Sequence, residues 1–310
     1  MNRIVINIFV TILILFLLGT VACKPRRGVR LMKTADKVDP LIGTGKATTV
    51  SATRHSIHDS ELRGQTFPAV GVPRGMTQWT PQTRATEEKC LSPYYYEDSL
   101  FQGIRASHWK SGSCTQDYGS FTIMPLIDQV ITDPVKRALP LQHEDETSLP
   151  YFYQLDLSKY GVVAEVSANN RSGLMRFTFN KNAKKKIILM EVNSDEGKGN
   201  VSIDVANREI NGINPVHRIY QGWGEYAGFD GHISLEFEQD FVEYGVWEDE
   251  KLLPGHTEIK STGGRVGAYV IFADDTKEVQ VKGGTSFVDT DGARNNRSQE
   301  IPHWNIFFAQ

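Results

Sequence analysis

The sequence carries no large excess of charge of either sign. Its formal net charge is −3 over 310 residues, with acidic and basic residues interspersed. A nucleic-acid-binding surface normally needs a basic excess, so the charge predicts no nucleic-acid partner. A composition of 40% hydrophobic and 23% charged residues is that of a soluble globular protein, and the length allows one large domain or two ordinary ones.

The sequence also lacks an apolar run long enough for a typical membrane-spanning helix. The N-terminal run at residues 4–18 is shorter than the ~20 residues that such a helix usually needs. Small residues follow it up to Cys23, an order typical of a bacterial lipoprotein signal peptide. We therefore expect residues 1–23 to be that signal, Cys23 to be lipidated, and residues 24–37 to be a flexible tether. An uncleaved N-terminal membrane anchor is the alternative.

This leader predicts that the protein is exported and attached to the bacterial envelope, in the periplasm or on the outer-membrane surface, with the lipid as its membrane contact. Lipidation of Cys23 would leave Cys90 and Cys114 in an oxidising compartment, where disulfides persist. A Cys90–Cys114 disulfide is one interpretation, and two buried thiols are the other. Sequence does not show whether the two Cα atoms come within the ~7 Å that a disulfide allows.

No long window has the i, i+3, i+4, i+7 apolar spacing of an amphipathic helix. Period-two alternation recurs instead, for example at residues 162–168 and 233–238, and it is typical of half-buried strands. The pattern predicts an all-β domain over residues 38–288, in which two large antiparallel sheets pack face to face.

Turn and helix signals complete this prediction. Residues 207–209 form a turn-prone stretch, and Asn211-Gly212 predicts a further hairpin turn. A short helix is expected to begin at Asp289 or Thr290 and to end before Pro302.

Polar and aromatic residues gather at residues 103–119, between two strand-like runs. A sugar site needs an aromatic face for the apolar side of the ring and polar groups for its hydroxyls. So many polar groups would be difficult to satisfy in a core, which favours a carbohydrate site; aromatic core residues with polar tips are the alternative. Residues 43–75 form a second long polar segment, of the kind that often carries binding loops on a β scaffold.

Signatures of catalysis are missing. The sequence has no Gly-x-Ser-x-Gly elbow, and no spacing singles out the carboxylate pair that glycoside hydrolysis needs. His55, His58 and Asp59 would need a further distant ligand to hold a metal, so a solvated loop is the favoured interpretation. We predict no catalytic residue and no metal site in this chain; an enzyme complete in itself, using Asp59 and Asp117, is the alternative.

Several motifs together carry a family resemblance. They are VDPLIGTG at 38–45, QTFPAVGVPRGM at 65–76, Ser107-His108 with Ser111-Gly112, GTSFV at 284–288, GARN at 292–295 and EIP at 300–302. The combination resembles the N-terminal domain of glycoside hydrolase family 92, the calcium-dependent exo-acting α-mannosidases. Two departures stand out: Trp109-Lys110 occupy a place where the family often has a second histidine, and residues 46–64 resemble an insertion.

The resemblance implies a β-supersandwich similar to galactose mutarotase, followed in the family by a helical (α/α) barrel. The family's general acid, base carboxylates and calcium ligands lie in that barrel. The resemblance therefore implies that this chain corresponds to the first half only, with calcium expected in the catalytic domain and no cofactor in this chain. Residues 289–310 are expected to start a linker toward a missing helical domain, and a separately encoded barrel is one expected partner.

The predicted function is that of the carbohydrate-facing N-terminal domain of an exported α-mannosidase acting on mannose-containing glycans. The domain would contribute one wall of the sugar pocket and be inactive alone. The alternative is a stand-alone glycan-binding surface lipoprotein without catalytic activity. The predicted substrate-binding residues are Ser107, His108, Trp109, Ser111, Gly112, Asp117, Gly43, Thr44 and Gly45.

Overall fold

The computed structural model describes residues 34–55, 64–85, 90–112, 115–194, 196–217 and 224–306. The chain divides into one unit of residues 1–37 and a second of residues 38–310. In the first unit the described part is a 3-10 turn at Thr34–Lys37. The expected signal peptide, Cys23 and residues 24–33 of the tether lie outside the described residues and stay predictions. Within the described part of the chain, no helix has the length and apolarity that crossing a membrane requires.

Eighteen strands are described in the second unit. In chain order the first nine are β1 (Gln78–Gln82), β2 (Leu100–Phe101), β3 (Gly103–Ser107), β4 (Phe121–Ile127), β5 (Leu139–Pro140), β6 (Glu146–Leu149), β7 (Phe152–Leu157), β8 (Val162–Ala168) and β9 (Ser172–Phe179). The other nine are β10 (Lys186–Val192), β11 (Asn200–Asp204), β12 (Glu209–His217), β13 (Tyr226–Phe237), β14 (Phe241–Glu248), β15 (Lys251–Pro254), β16 (Glu258–Lys260), β17 (Val266–Phe272) and β18 (Glu278–Ser286).

The strands pair into two large sheets and one small sheet. The first large sheet has seven strands in the order β1-β3-β4-β10-β17-β14-β15, and the second has nine in the order β16-β11-β12-β13-β18-β9-β8-β7-β6. β2 and β5 form the small sheet. Each described pairing is antiparallel. The prediction of an all-β domain with two large antiparallel sheets is therefore confirmed.

A tryptophan joins the two large sheets. Trp79 lies on β1 of the seven-stranded sheet and is fully buried. Gly173 of β9 and Gly283 of β18, which face each other in register, lie against it in the nine-stranded sheet. A Cβ atom at Gly173 would lie 2.5 Å from Cε2 of Trp79, and one at Gly283 would lie 2.4 Å from Cη2. The indole therefore occupies space that exists because both positions are glycine.

The central strands of the seven-stranded sheet are buried on the face turned away from the partner sheet as well. Phe121 of β4 and Met190 of β10 face the nine-stranded sheet, where a Cβ atom at Gly212 would meet both side chains. Side chains alternate along a strand, so Thr122 and Glu191 point the other way, and both are buried. All seven positions of β10 are consequently buried.

The predicted hairpin turn at Asn211 and Gly212 is wrong, because both residues lie inside β12. The turn between β11 and β12 occupies residues 205–208 and overlaps the predicted turn at 207–209. Gly212 instead leaves room for the ring of Phe121, which a Cβ atom at this position would approach to 2.8 Å. The glycine serves the packing between the sheets rather than a change of chain direction.

The remaining described elements are short. They are a helix at Val50–His55, 3-10 turns at His143–Asp145 and Ser158–Tyr160, and a C-terminal helix at Thr290–Glu300.

The predicted C-terminal helix is confirmed. Asp289 caps it by accepting a hydrogen bond of 2.6 Å from the backbone N–H of Gly292. Polar contacts attach the helix to the nine-stranded sheet, because Arg297 donates to Glu209 at 2.7 Å and to Ser234 at 2.7 Å. The helix is thus held against this sheet in part by the ion pair between Arg297 and Glu209.

We expect Gly173→Ala to lower the free energy of unfolding by about 1–3 kcal/mol, because the added methyl group would overlap the Trp79 ring. Urea unfolding followed by tryptophan fluorescence measures the change. Gly45→Ala is the matched control, since its Cβ atom would meet Glu97 at an ordinary contact distance of 3.4 Å. Equal unfolding midpoints for the two variants would show that the sheets do not depend on this contact.

Candidate functional site

A cavity of about 460 Å³ lies at the end of the seven-stranded sheet where β1 begins and β3 ends. We call it the main cavity because predicted binding residues line it; a cavity of about 520 Å³ beside β11 and β16 is larger but contains none of them. Its lining residues are Gly75, Met76, Gln78, Ser107, His108, Trp109, Lys110, Ser111, Tyr118 and Phe287. Gln78 and Ser107 pair in the register of β1 and β3, which places the approach to β1 beside the turn that follows β3. Four predicted residues, Ser107, His108, Trp109 and Ser111, are brought together here.

Both ring nitrogens of His108 have hydrogen-bond partners. Nδ1 lies 2.9 Å from the backbone oxygen of Tyr118, and Nε2 lies 3.0 Å from Oγ1 of Thr77. A carbonyl oxygen only accepts, so Nδ1 carries the proton and, in the neutral ring, Nε2 accepts from the Thr77 hydroxyl. Burial lowers the pKa of His108, although Asp117 acts in the opposite direction. The side chain is therefore a neutral, fixed part of the wall.

An aromatic cluster forms one side of the main cavity. Phe287 lies 4.6 Å from the ring centroid of His108 and 5.9 Å from that of Tyr118. Phe229 of β13, 36% exposed, meets Phe287 edge-on at 5.4 Å. Tyr118 and Phe287 are partly exposed, so their rings offer a planar apolar surface to a ligand.

Phe287 and Phe229 were not among the residues predicted from the sequence. Phe287 follows β18 and Phe229 lies on β13, so each is far along the chain from residues 103–119. The GTSFV motif contains Phe287, and it is the one sequence signal that could have drawn attention to it.

Asp117 lies behind the lining of the main cavity. Its Oδ2 accepts a hydrogen bond of 2.8 Å from Nε of Arg105, and both side chains are 0% exposed. Its Oδ1 accepts from the backbone N–H of His108 at 2.9 Å. The carboxylate therefore fixes the chain at His108, and Asp117 is not among the described lining residues of the main cavity, so its sugar contact stays a prediction.

Trp109 combines the two interpretations that the sequence left open. Its ring is 2% exposed and meets Phe67 at 5.8 Å in an edge-on contact, so it belongs to the core. The indole N–H donates to the backbone oxygen of Thr115 at 2.8 Å and is not free for a ligand. Trp109 thus borders the cavity as a core residue.

The other predicted binding residues do not line the main cavity. Thr44 is buried, and its hydroxyl donates to the backbone oxygen of Leu41 at 2.7 Å. Gly43, with a φ of +82°, packs against Thr66, and Gly45 lies near Glu97. Gly112 has a φ of +75° and donates its N–H to the backbone oxygen of Gln65 at 2.7 Å. Sugar contacts by Gly43, Thr44, Gly45 and Gly112 stay predictions.

The structure describes only some of the residues on which the disulfide and metal predictions depend. Cys90 is buried and disulfide-bonded. Cys114 lies outside the described residues, so its pairing with Cys90 stays a prediction. His58 and Asp59 also lie outside them. Over the described ranges, no group of three His, Cys, Asp or Glu side chains is placed to hold a metal ion.

We expect Asp117→Asn to destabilise the protein by about 3–5 kcal/mol, because the Arg105 guanidinium would keep its charge in a buried site without a carboxylate. Urea unfolding measures the loss. The matched control is Asp98→Asn, whose ion pair with Arg84 is partly exposed, with side-chain exposures of 25% and 15%. A loss in the control as large as that in Asp117→Asn would contradict the structural role of the buried pair.

We expect the stability contributed by His108 to fall below pH ~6.5, the ordinary pKa of the unfolded ring. Burial lowers the folded pKa, so the unfolded state binds more protons between the two values. The free energy of unfolding, measured at pH 7.5 and pH 5.5, should therefore decrease less in His108→Gln than in the wild type. An unchanged decrease in His108→Gln would contradict a buried His108 that is neutral in the folded state.

Comparison with known proteins assigns the chain. Residues 37–286 match the family model described as Glycosyl hydrolase family 92 N-terminal domain. Among solved structures, the family GH92 inverting mannosidase BT2199 from Bacteroides thetaiotaomicron VPI-5482 shares 26% sequence identity and a TM-score of 0.75. The alignment covers 90% of this chain and 35% of that chain. No curated protein matches the sequence.

Two further structures share the fold. The family GH92 α-mannosidase BT3965 from Bacteroides thetaiotaomicron has a TM-score of 0.69 at 22% identity, with 89% of this chain and 36% of that chain covered. The gh92 family glycosyl hydrolase ccman5 has a TM-score of 0.67 at 19% identity, covering 89% and 35%. This chain thus spans about a third of the length of each relative. Its sequence match and its fold agree, and the chain belongs to the glycosyl hydrolase family 92 N-terminal domain family.

Proposed function

We propose that this chain is the carbohydrate-facing N-terminal domain of an exported α-mannosidase and that its main cavity forms one wall of the sugar pocket. The observation that carries the proposal is the convergence of polar and aromatic residues on that cavity. Ser107, Ser111 and Gln78 line it together with the partly exposed rings of Tyr118 and Phe287. The substrate class is mannose-containing glycans.

The cavity has the size and chemistry of a sugar subsite. Its volume of about 460 Å³ falls within the ~300–1,000 Å³ typical of small-molecule sites. The aromatic rings suit the apolar face of a pyranose, while hydroxyl, amide and ammonium groups suit its hydroxyls. The mannosidase BT2199, which aligns with 90% of this chain, supports mannose as the sugar.

The wall is proposed to bind rather than to catalyse. Inversion at a glycosidic bond uses two carboxyl groups ~6.5–9.5 Å apart, and the described lining of the main cavity includes no carboxylate. The acid and base are proposed to lie in a helical barrel, in the same polypeptide or encoded separately. Calcium is proposed to bind there as well, as the resemblance to the family implies.

Export is part of the proposal and rests on sequence. The leader at residues 1–23 supports lipid attachment at Cys23 on the bacterial envelope, where Cys90 and Cys114 would meet oxidising conditions. Metabolic labelling with a radioactive fatty acid tests it. Label should be incorporated into the wild type and lost in Cys23→Ser, and label retained in Cys23→Ser would contradict lipidation at this residue.

Sugar contact is tested by saturation-transfer NMR with methyl α-mannoside at millimolar concentration. We expect transfer from the wild-type chain to decrease several-fold in Tyr118→Ala, because the variant removes an aromatic face of the cavity. Tyr226→Ala is the matched control, as Tyr226 is 51% exposed on β13 and does not line the cavity.

Equal signals from the two tyrosine variants would contradict a sugar-facing role for the main cavity. Methyl α-glucoside serves as the second ligand, and a signal equal to that of the mannoside would argue against mannose selectivity. A sub-millimolar dissociation constant for the isolated chain would favour the stand-alone glycan-binding lipoprotein over the wall of a shared pocket.

A further inference from the structure

A second, smaller cavity lies near the other end of β1. Its volume is about 110 Å³, and its polar lining includes Gln82, Gln102, Arg137, Glu191, Asn193 and Arg265. We call it the small polar cavity. Gln78 lines the main cavity and Gln82 lines this one, so the two sites are separated along β1 by four residues, or about 13 Å.

Two guanidinium groups share one carboxylate in the small polar cavity. Nη2 of Arg137 hydrogen-bonds to Oε2 of Glu191, and Nη1 of Arg265 lies 3.2 Å from Oε1 of the same residue. Both arginines also donate to the backbone oxygen of Thr132, at 2.6 Å and 3.4 Å. Among the described lining residues, two positive charges thus face one negative charge.

A buried donor accompanies this excess of positive charge. The side chain of Arg137 is 1% exposed, and its Nε has no hydrogen-bond partner among the residues that the structure describes. Leaving a buried donor unsatisfied costs about 1–3 kcal/mol. A water molecule would accept the hydrogen bond from Nε but would not neutralise the excess positive charge. An anion would do both.

The other side chains of the cavity are held in place. Thr122 donates to Oε1 of Gln82, and Nε2 of Gln82 lies 3.4 Å from Oε1 of Gln102. Asn193 donates to Thr122 at 2.9 Å. Asp133 interacts electrostatically with Arg265. Asp133 is not among the described lining residues of the cavity, and its Oδ1 accepts hydrogen bonds from the backbone N–H groups of Val135 and Lys136.

The volume limits what the cavity can hold. About 110 Å³ corresponds to three or four water molecules at about 30 Å³ each, which is the scale of an ion with three or four oxygens rather than of a sugar ring. Guanidinium groups bind such oxyanions through paired N–H donors. Arg265 is 35% exposed, so the cavity remains open to solvent on that side.

We infer that the small polar cavity binds an oxyanion, a phosphate or sulfate group held by Arg137 and Arg265. The inference does not rest on the sugar-facing role of the main cavity. The group has two sources, a free inorganic ion or an anionic substituent on a glycan, and these present the same chemistry to the arginines.

Isothermal titration of the purified chain tests the inference. The probes are inorganic phosphate, sulfate and mannose 6-phosphate, each at an ionic strength kept constant with sodium chloride. We expect binding to weaken tenfold or more in Arg265→Gln, because one of the two guanidinium groups is removed. The matched control is Arg208→Gln, whose ion pair with Asp240 lies at a surface position where the arginine is 40% exposed; its affinity should equal that of the wild type.

Glu191→Gln provides an opposite test. Removing the carboxylate leaves Arg137 and Arg265 without their shared partner, so phosphate should raise the melting temperature of this variant more than that of the wild type. Binding of mannose 6-phosphate together with inorganic phosphate would assign the site to a glycan substituent, and binding of the inorganic ion alone would assign it to a free anion. The inference is overturned if phosphate does not bind, if Arg265→Gln binds as the wild type does, or if Glu191→Gln gains no more than the wild type.

Discussion

The insertion of Trp79 between two glycines is the contact on which the rest of the domain depends. Gly173 and Gly283 lie opposite each other on neighbouring strands, so their missing side chains form one continuous gap for the indole. The ring occupies the gap from the other sheet and fixes the separation of the sheets at this point. Gln78, which precedes Trp79, pairs with Ser107, so the same contact sets the position of the main cavity.

A buried polar network lies on the face of the seven-stranded sheet that is turned away from Trp79 and the nine-stranded sheet. Arg105 bonds to Asp117 and donates to Ser120 at 2.8 Å. Asn193 lies within 3.5 Å of Ser120 and 2.9 Å of Thr122, which in turn bonds to Gln82. Such a network specifies a single arrangement only when its members are satisfied. Here it connects the turn at His108 to the wall of the small polar cavity.

Much of the fold was predictable because its signals are local. Alternating side chains marked the strands, and the capping residue Asp289 marked the last helix. The order of the strands was not predictable. Alternation of apolar and polar residues shows that a strand has one buried and one exposed face, but it does not show which strand lies beside it. Gly212 shows the same limit: Asn-Gly is a turn signal locally, but the ring of Phe121 from the opposite sheet required a glycine inside β12.

In the candidate site, too, residues that are close in sequence were predictable and residues from distant segments were not. Ser107, His108, Trp109 and Ser111 are close in sequence and were found together. Phe287 reaches the cavity from β18 by a contact between distant segments, which composition does not reveal. The burial of Asp117 was equally hidden, because a carboxylate beside polar neighbours looks the same in sequence whether it faces a ligand or an arginine.

The strand order has a kinetic consequence. β9 pairs with β18 near the centre of the nine-stranded sheet, and β10 pairs with β17 in the seven-stranded sheet, although in each case a large part of the chain separates the partners. Neither sheet is complete until β17 and β18 have been synthesised. Folding dominated by distant pairings is slow, because the entropy of closing long loops is lost before the contacts form. This domain should therefore not complete its sheets until β17 and β18 have left the ribosome, and the pairing of these two strands with β10 and β9 should be a slow step of its folding.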